Sequence, residues 1–257
     1  METMESALAW NVCFSQDSVP IDLNPTQLPR KKSLVARTLR AIVFGPLRVA
    51  VVLFGMAGSF DFWQAWILIA INFVATTSAS VYFYKHDPQL LERRLLTKEK
   101  LLTQKIIIVL WKCLIAATFV LAGYDHRIAW SRISFASVPL WLQLLSLMGV
   151  AIGYALYFQV MKTNSFAASV IQVEAGQPVI STGLYRTIRH PMYLAFAIIA
   201  LFTPLALGSF LATPISLFIL LTILLRLSHE ERVLRRELAG YTEYCRRTPH
   251  RLIPFLF

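Results

Sequence analysis

Charge is scarce in this chain, and acidic charge most of all. Of 257 residues 15% are charged, 14 of them acidic and 25 basic, whereas average soluble domains carry about 25% charged residues. This shortage, with a mean hydropathy of +0.58, excludes disorder, collagen-like repeats and a coiled coil. It also argues against a soluble globular enzyme. Cysteine is scarce too. Cys13, Cys113 and Cys245 build neither a disulfide framework nor a C-x-x-C metal site, and Cys113, inside an apolar run, is expected to serve packing. No G-x-G-x-x-G, Walker A or G-x-S-x-G sequence occurs, so the soluble nucleotide-binding fingerprints and the nucleophile elbow are missing. His229-Glu230 opens like H-E-x-x-H, but Val233 stands where the second histidine belongs, so no metal site is expected. No secretory signal opens the chain. Residues 1–33 carry Glu2, Glu5, Asp17, Asp22 and three prolines without an early apolar core, and read as a disordered cytoplasmic tail.

Apolar residues are abundant, at 56%. A membrane span needs roughly 20 of them in a row, since a helix rises about 1.5 Å per residue across about 30 Å of hydrocarbon. Candidate spans are 41–59, 63–84, 104–124, 138–161, 192–208 and 210–228. The first is interrupted by Pro46 and Arg48, which suits an interfacial helix leading into a short span. The last two are separated only by Gly208 and Ser209 and are expected to form a tight helical hairpin. Pro204 and Pro214 are expected to kink its arms, as membrane helices tolerate. The fold class is therefore all-α: a polytopic membrane protein of five to six transmembrane helices, with a C-terminal helical hairpin and a cytoplasmic C-terminal tail.

The basic residues fix the expected orientation. One side receives Arg30, Lys31, Lys32, Arg37 and Arg40, then Lys85, Arg93, Arg94, Lys98, Lys100 and Lys105. It also receives Lys162, Arg186 and Arg189, and then the arginines from Arg226 to Arg251. The other side has only Arg127 and Arg132, with Arg48 and Lys112 inside spans. The net charge of +11 is thus a topology signal. It is not a nucleic-acid footprint, because the basic residues are spread over several loops without a grouped binding face. Both termini are expected on the cytoplasmic side.

Two polar clusters stand out. Gly183 to Tyr193 (GLYRTIRHPMY) lies at the cytoplasmic entrance of the fifth apolar segment, and His229-Glu230-Glu231-Arg232 lies at the exit of the sixth. A hairpin about 16–18 residues long in each arm brings His190 and Tyr193 beside Glu230 and Glu231. A third cluster of Tyr241, Tyr244, Arg246, Arg247, His250 and Arg251 can fold back over the hairpin mouth. Each residue alone has a plainer explanation. Arg186 and Arg189 suit interfacial anchors, and Tyr185 and Tyr193 suit an aromatic belt. Glu231–Arg235 and Arg226–Glu230 fit i,i+4 surface pairs. Gly149 and Gly153 suit helix packing, Lys112 suits snorkelling or function equally, and His86 and His126 suit loops. Convergence of histidine, tyrosine, arginine and two glutamates at one membrane depth is what singles out the hairpin mouth.

In this order and spacing, several fragments resemble the isoprenylcysteine carboxyl methyltransferase and phospholipid methyltransferase superfamily. They are Gly183-Leu184-Tyr185-Arg186, Arg189-His190-Pro191-Met192-Tyr193, Glu230-Glu231, Gly240-Tyr241, Tyr244 and Arg251-Leu252-Ile253-Pro254. The strong resemblance covers about residues 145–257. A weaker one runs upstream through Asp87-Pro88, Leu91-Glu92-Arg93-Arg94, Asp125-His126-Arg127 and Trp130-Ser131. Leu184 replaces the pattern's proline, and Ala195 replaces its glycine. The resemblance divides the chain into the tail 1–33, transmembrane helices over 34–137 and a membrane methyltransferase core over 138–257.

The resemblance implies S-adenosylmethionine bound at the cytosolic face by the hairpin and tail, and a lipophilic acceptor arriving from the bilayer. It implies cofactor contacts from Tyr185, Arg189, His190, Pro191, Tyr193, Glu230, Glu231, Tyr244, Arg247 and Arg251, with His190 and Tyr193 as catalytic residues. Of the two glutamates, Glu230 is the expected ligand contact, Glu231 pairing outward, and Arg189 is expected to anchor at the headgroups. Lys162 and Asn164, just past the fourth span, are placed to orient the acceptor. The acceptor is left open among a prenylcysteine-like carboxylate, which is favoured, a phospholipid amine and a thiol. The oligomeric state is not legible. Two other readings stand beside this one. An NADPH-dependent reductase of the sterol-reductase type shares an R-H-P-x-Y hairpin, but it is longer and usually has asparagine where this chain has Met192. A non-enzymatic membrane scaffold would leave Glu230 and Glu231 as surface charges.

Overall fold

The computed structural model describes residues 31–95, 102–130, 137–167, 173–174 and 176–253. The expected tail up to residue 30, Lys98, Lys100, Arg132, Ser131 and Pro254 lie outside the described residues. Eight α-helices are described, α1 (Lys31–Ala57), α2 (Trp63–His86), α3 (Pro88–Leu95), α4 (Leu102–Ile128), α5 (Leu140–Thr163), α6 (Pro191–Ala206), α7 (Thr213–Glu237) and α8 (Tyr241–Arg247). A 3₁₀ turn at Gly183–Arg186 precedes α6. No strand occurs among the described residues.

Five helices are long and apolar enough to cross a membrane, over Leu34–Ala57, Trp63–His86, Gln104–Ile128, Leu140–Thr163 and Thr213–Glu237. The first is one continuous helix through Pro46 and Arg48, not an interfacial helix followed by a short span. The sixth apolar helix, α6, has 16 residues and so rises only about 24 Å. Around the bundle, α1 packs on α2, α2 on α5, α5 on α6, α6 on α7, α7 on α4 and α4 on α1, closing a ring. Large apolar side chains such as Phe44, Val51, Trp141, Phe218 and Leu221 stay exposed on the outside of this ring, as a lipid-facing surface requires.

Glycine sets the closest contacts. A Cβ on Gly149 would lie 2.7 Å from the Phe202 ring, and one on Gly153 would lie 2.6 Å from Ile199 and 3.3 Å from the Ala195 carbonyl. The G-x-x-x-G pair therefore serves α5–α6 packing. Ala195, fully buried, is part of the same contact, so the departure from glycine there bears on helix packing.

The hairpin turn is a Schellman closure. Gly208 adopts φ +74°, with its N–H donating to Leu205 O and the Ser209 N–H donating to Pro204 O, both at 3.0 Å. Pro204 lies inside α6 and has no N–H for the Ala200 carbonyl, and Ser216 Oγ on α7 donates to that carbonyl at 2.8 Å instead. Pro214 sits in the first turn of α7, where proline is tolerated, so it starts the helix and does not kink it. At this end of the bundle Ser209 Oγ donates to buried Asp125 Oδ2 at 2.5 Å. Two further expectations change. His86 ends α2, stacked on Tyr82, and His126 lies within α4, stacked on Phe62 at 4.0 Å. Neither is in a loop: His86 stacks on Tyr82 of its own helix, and His126 stacks on Phe62, the residue that caps α2. Cys113 is exposed on α4 and not packed.

Candidate active site

At the opposite end, Pro191 opens α6 with His190 as its N-cap residue, proline being suited to a first turn because it has no N–H to satisfy. The two residues before it pair with the chain's last described segment. Arg189 N–H donates to the His250 carbonyl at 3.0 Å, and His190 N–H donates to the Arg251 carbonyl at 2.9 Å. Arg189 Nη2 also donates to Pro249 O at 3.0 Å, and Tyr244 OH donates to Tyr185 O at 2.7 Å. Gly240, at φ +80°, turns the chain into α8 so that it can double back. The tail is thus a strap laid across the hairpin mouth.

The two adjacent glutamates on α7 do different things. Glu231 is 3% exposed. It pairs with Arg189, with Arg235 at 3.1 Å and with Arg251 Nε at 3.0 Å. It does not point outward. Arg189, 7% exposed, is a buried member of this clamp and not a headgroup anchor. Both corrections have one cause. The strap brings Arg251 over α7, so the carboxylate and the guanidinium close on each other out of water. Glu230 instead accepts a hydrogen bond from Tyr193 OH, and Arg226 Nε donates to that same hydroxyl at 3.1 Å.

Between the strap, the hairpin and the loop after α5 lies a cavity of about 850 Å³, mouth included. Asn164, Tyr185, Arg189, His190, Tyr193, Glu230 and Tyr244 line it. These expected residues come together. Pro191 is buried in the first turn of α6 and does not line the cavity. Glu231 and Arg251 stand behind its wall in the clamp. Arg247 is 78% exposed and pairs with Glu243 at 3.2 Å. Lys162, exposed, has its ammonium 5.9 Å above the Tyr82 ring, away from the cavity. Asn164 is fixed by donating to Tyr185 OH at 3.0 Å.

Several lining residues escaped the sequence reading. Arg226 was legible only as an i,i+4 neighbour of Glu230, and Tyr241 only as part of the tail cluster. Phe166 and the stretch Gln177–Ile180 carried no signal. They reach the cavity because Arg93 on α3 grips Glu174 through two bonds of 2.7 and 2.8 Å and donates to Ser165 O at 2.9 Å.

Burial governs the protonation of this site. It depresses His190 from 6.5 to about 3, aided by the positive charges of Arg189 and Arg251, so the imidazole is neutral at pH 7. Burial pushes Tyr185 up to about 12, against the Asn164 hydrogen bond, and moves Tyr241 and Tyr244 upward as well. The tyrosines keep their protons and serve as neutral donors. Arg189 Nε is buried with no partner among the described residues. The cavity therefore offers one carboxylate, the guanidinium groups of Arg189 and Arg226, a neutral imidazole, phenol hydroxyls and several aromatic faces. This set suits a zwitterionic, cationic ligand with a diol: an acceptor for its hydroxyls or amine, donors for its carboxylate, and rings for its positive centre. Among the described residues no group of three or more His, Cys, Asp or Glu is placed to hold a metal.

Residues 144–236 match the model of the isoprenylcysteine carboxyl methyltransferase (ICMT) family. The match spans all but the first turn of α5, the cavity-lining loop, α6 and all but the last residue of α7. The strap and α1–α4 lie beyond it. It supports the methyltransferase superfamily named by the resemblance and membrane methyltransferase activity in general. It lends nothing to the reductase or scaffold readings.

Proposed function

We propose that this protein binds S-adenosylmethionine in the hairpin-mouth cavity and methylates a lipid-borne acceptor whose nucleophile arrives already ionised. The observation that carries this reading is the convergence of His190, Tyr193, Glu230 and Arg189 on one cavity within the ICMT-matched segment. Glu230 is assigned to the ribose diol or amino group. Arg189 Nε and His190 are assigned to the carboxylate, and Tyr185, Tyr241 and Tyr244 to the sulfonium surroundings. When bound, this cofactor supplies an electrophilic methyl group whose C–S electron pair leaves with sulfur. The chain's own residues align the reactants and exclude water. Glu231, Arg235 and Arg251 act through Arg189, as the clamp that keeps the strap closed.

Among the described residues the cavity leaves no base over for an amine or thiol, because its carboxylate, Glu230, is assigned to the cofactor. His190, with a pKa of about 3, is too weak a base at neutral pH. A carboxylate needs none, being ionised at pH 7, so a lipophilic carboxylate of the prenylcysteine type is the acceptor we favour. The basic residues of α3, the strap and the hairpin mouth share the cavity end, which we assign to the cytoplasm.

The test is a melting curve in detergent with S-adenosylhomocysteine against NADPH, since a ligand that binds only the folded state raises apparent stability. Stabilisation by S-adenosylhomocysteine alone is expected; stabilisation by NADPH alone overturns the reading in favour of the reductase. Once an acceptor is found, the rate of the isolated chemical step is expected to be nearly flat from pH 6 to 9.

A further inference from the structure

A second charged group stands at the cavity wall on an element outside the ICMT-matched segment. The helix α3 is held rigidly. Asp87 caps it through Leu90 N–H at 2.9 Å, Leu90 and Leu91 are buried, and Arg93 is fully committed to Glu174 and Ser165. Arg94, the next residue and so about 100° further round the helix, points instead between α5 and α6. It bonds Tyr157 OH, and its guanidinium carbon lies 5.0 Å above the Tyr157 ring. Its Nη1 lies 3.5 Å from Met192 Sδ and 3.4 Å from Ala167 O. Met192 and Ala167 are both cavity-lining residues. The guanidinium is therefore one side chain behind the wall, and that side chain is an unbranched thioether, which changes rotamer easily.

The surroundings of Arg94 change character sharply. On one side is the polar cavity. On the other, Tyr157 contacts Phe196 at 5.2 Å and Phe196 contacts Trp111 at 5.2 Å, a chain of half-buried rings running along α6 to α4 in the membrane part. A cation at the junction of a polar cavity and a row of half-buried rings has the anatomy for an amphiphile with an anionic head. A guanidinium can keep its Tyr157 hydrogen bond on one edge and exchange the thioether contact on Nη1 for a carboxylate oxygen.

We propose that Arg94, uncovered by rotation of Met192, binds the anionic head of the methyl acceptor and selects carboxylate-bearing amphiphiles over amine-bearing ones. The inference rests on the methyltransferase reading above and adds to it the residue that sets acceptor class. A protonated amine at this position meets a like charge and is rejected. A carboxylate is held with its apolar chain against the Tyr157–Phe196–Trp111 row of rings.

The experiment uses the full chain in lipid nanodiscs, with an S-prenylated N-acetylcysteine and its carboxamide as probes. Affinity for both is measured in wild type, Arg94→Gln, Arg94→Lys and Met192→Ile, and KM and kcat are measured for the carboxylate. S-adenosylhomocysteine binding serves as the control for folding and for the cofactor site. Wild type is expected to prefer the carboxylate to the amide by about tenfold or more, the size of a charge-assisted hydrogen bond. Arg94→Gln is expected to erase that preference and raise KM about tenfold with kcat within about twofold, leaving S-adenosylhomocysteine affinity unchanged. Arg94→Lys restores part of the preference, because a point charge replaces a fork. Met192→Ile, stiffer at the wall, raises KM for the carboxylate with Arg94 intact, and it carries the test should Arg94→Gln fail to fold. An unchanged preference in Arg94→Gln, an unchanged KM in Met192→Ile or the absence of any preference in wild type overturns the assignment to Arg94. Failure of wild type to bind S-adenosylhomocysteine overturns the methyltransferase reading itself.

Discussion

The two ends of the helical ring bury polar groups in opposite ways. At the hairpin turn, Asp125, Ser209 and the Ala212 N–H close on one another, and Gln64 Nε2 donates to Gln143 Oε1 at 2.9 Å. These groups pin α4 to the hairpin turn and α2 to α5. At the hairpin mouth, Glu231 gathers three arginines behind the wall, and Glu230, Tyr193 and His190 face an open cavity. The first end is a polar lock made for stability. The second spends one carboxylate on stability and leaves its neighbour for a ligand. Adjacent, chemically identical side chains on one helix are thus divided between the two tasks by the strap that covers only one of them.

Substitutions that separate stability from binding sharpen this contrast. Glu231→Ala is expected to have the largest effect, a loss of ~3–5 kcal/mol of stability, because it strands the buried Arg189 guanidinium. Detergent melting or urea unfolding measures it, and a normal melting curve would mean that the clamp is not what holds the strap. Glu230→Gln should do the reverse. Its melting stays near wild type, while S-adenosylhomocysteine affinity falls by ~1.5–3 kcal/mol, the worth of a hydrogen bond to a charged group. If calorimetric titration finds equal affinities, Glu230 is not a ligand contact. Ser209→Ala, at the far end, should cost ~1–3 kcal/mol of stability, since Asp125 loses a buried partner. Cofactor affinity is expected to be untouched, and a coupled loss of both would erase the distinction between the ends.

The smallest effect is the one with pH. His190 titrates lower in the folded protein than unfolded, from 6.5 to about 3. The unfolded chain therefore binds the proton first, and the stability His190 contributes is present above pH 6.5 and lost as pH falls towards 3. His190→Asn should flatten the fall in melting temperature between pH 7 and pH 5 relative to wild type. Identical slopes in the two proteins would place His190 in contact with water.

Much of this was legible in the sequence, for identifiable reasons. Long apolar runs announce spans because the bilayer sets their length, and the hairpin followed from two such runs separated by Gly208-Ser209. The glycine pair at 149 and 153 announced packing because a close helix approach excludes a Cβ. What stayed hidden depends on the strap. Nothing in the string Thr248 to Leu252 says that its carbonyls will receive the Arg189 and His190 N–H groups, so Glu231 read as outward and Arg189 as an anchor. Residues 177–180 stayed hidden as well, since the Arg93–Glu174 pair that holds the loop joins positions far apart in sequence. The α6 span read as 192–208 and is shorter because the Schellman turn consumes its end.

The pairing of residues 189–190 with 250–251 sets the order in which the protein can become active. The ribosome delivers the whole helical ring before it delivers the strap, and some sixty residues separate the two halves of that backbone pair. A nascent chain can therefore insert and close its hairpin while its cavity still lacks one wall. Competence for ligand therefore follows hairpin closure and depends on residues 248–252 reaching the hairpin mouth. A peptide inserted close to Ile253 pulls on the same carbonyls that shape the cavity, so a reporter on this protein disturbs least when a flexible linker keeps it away from that seam.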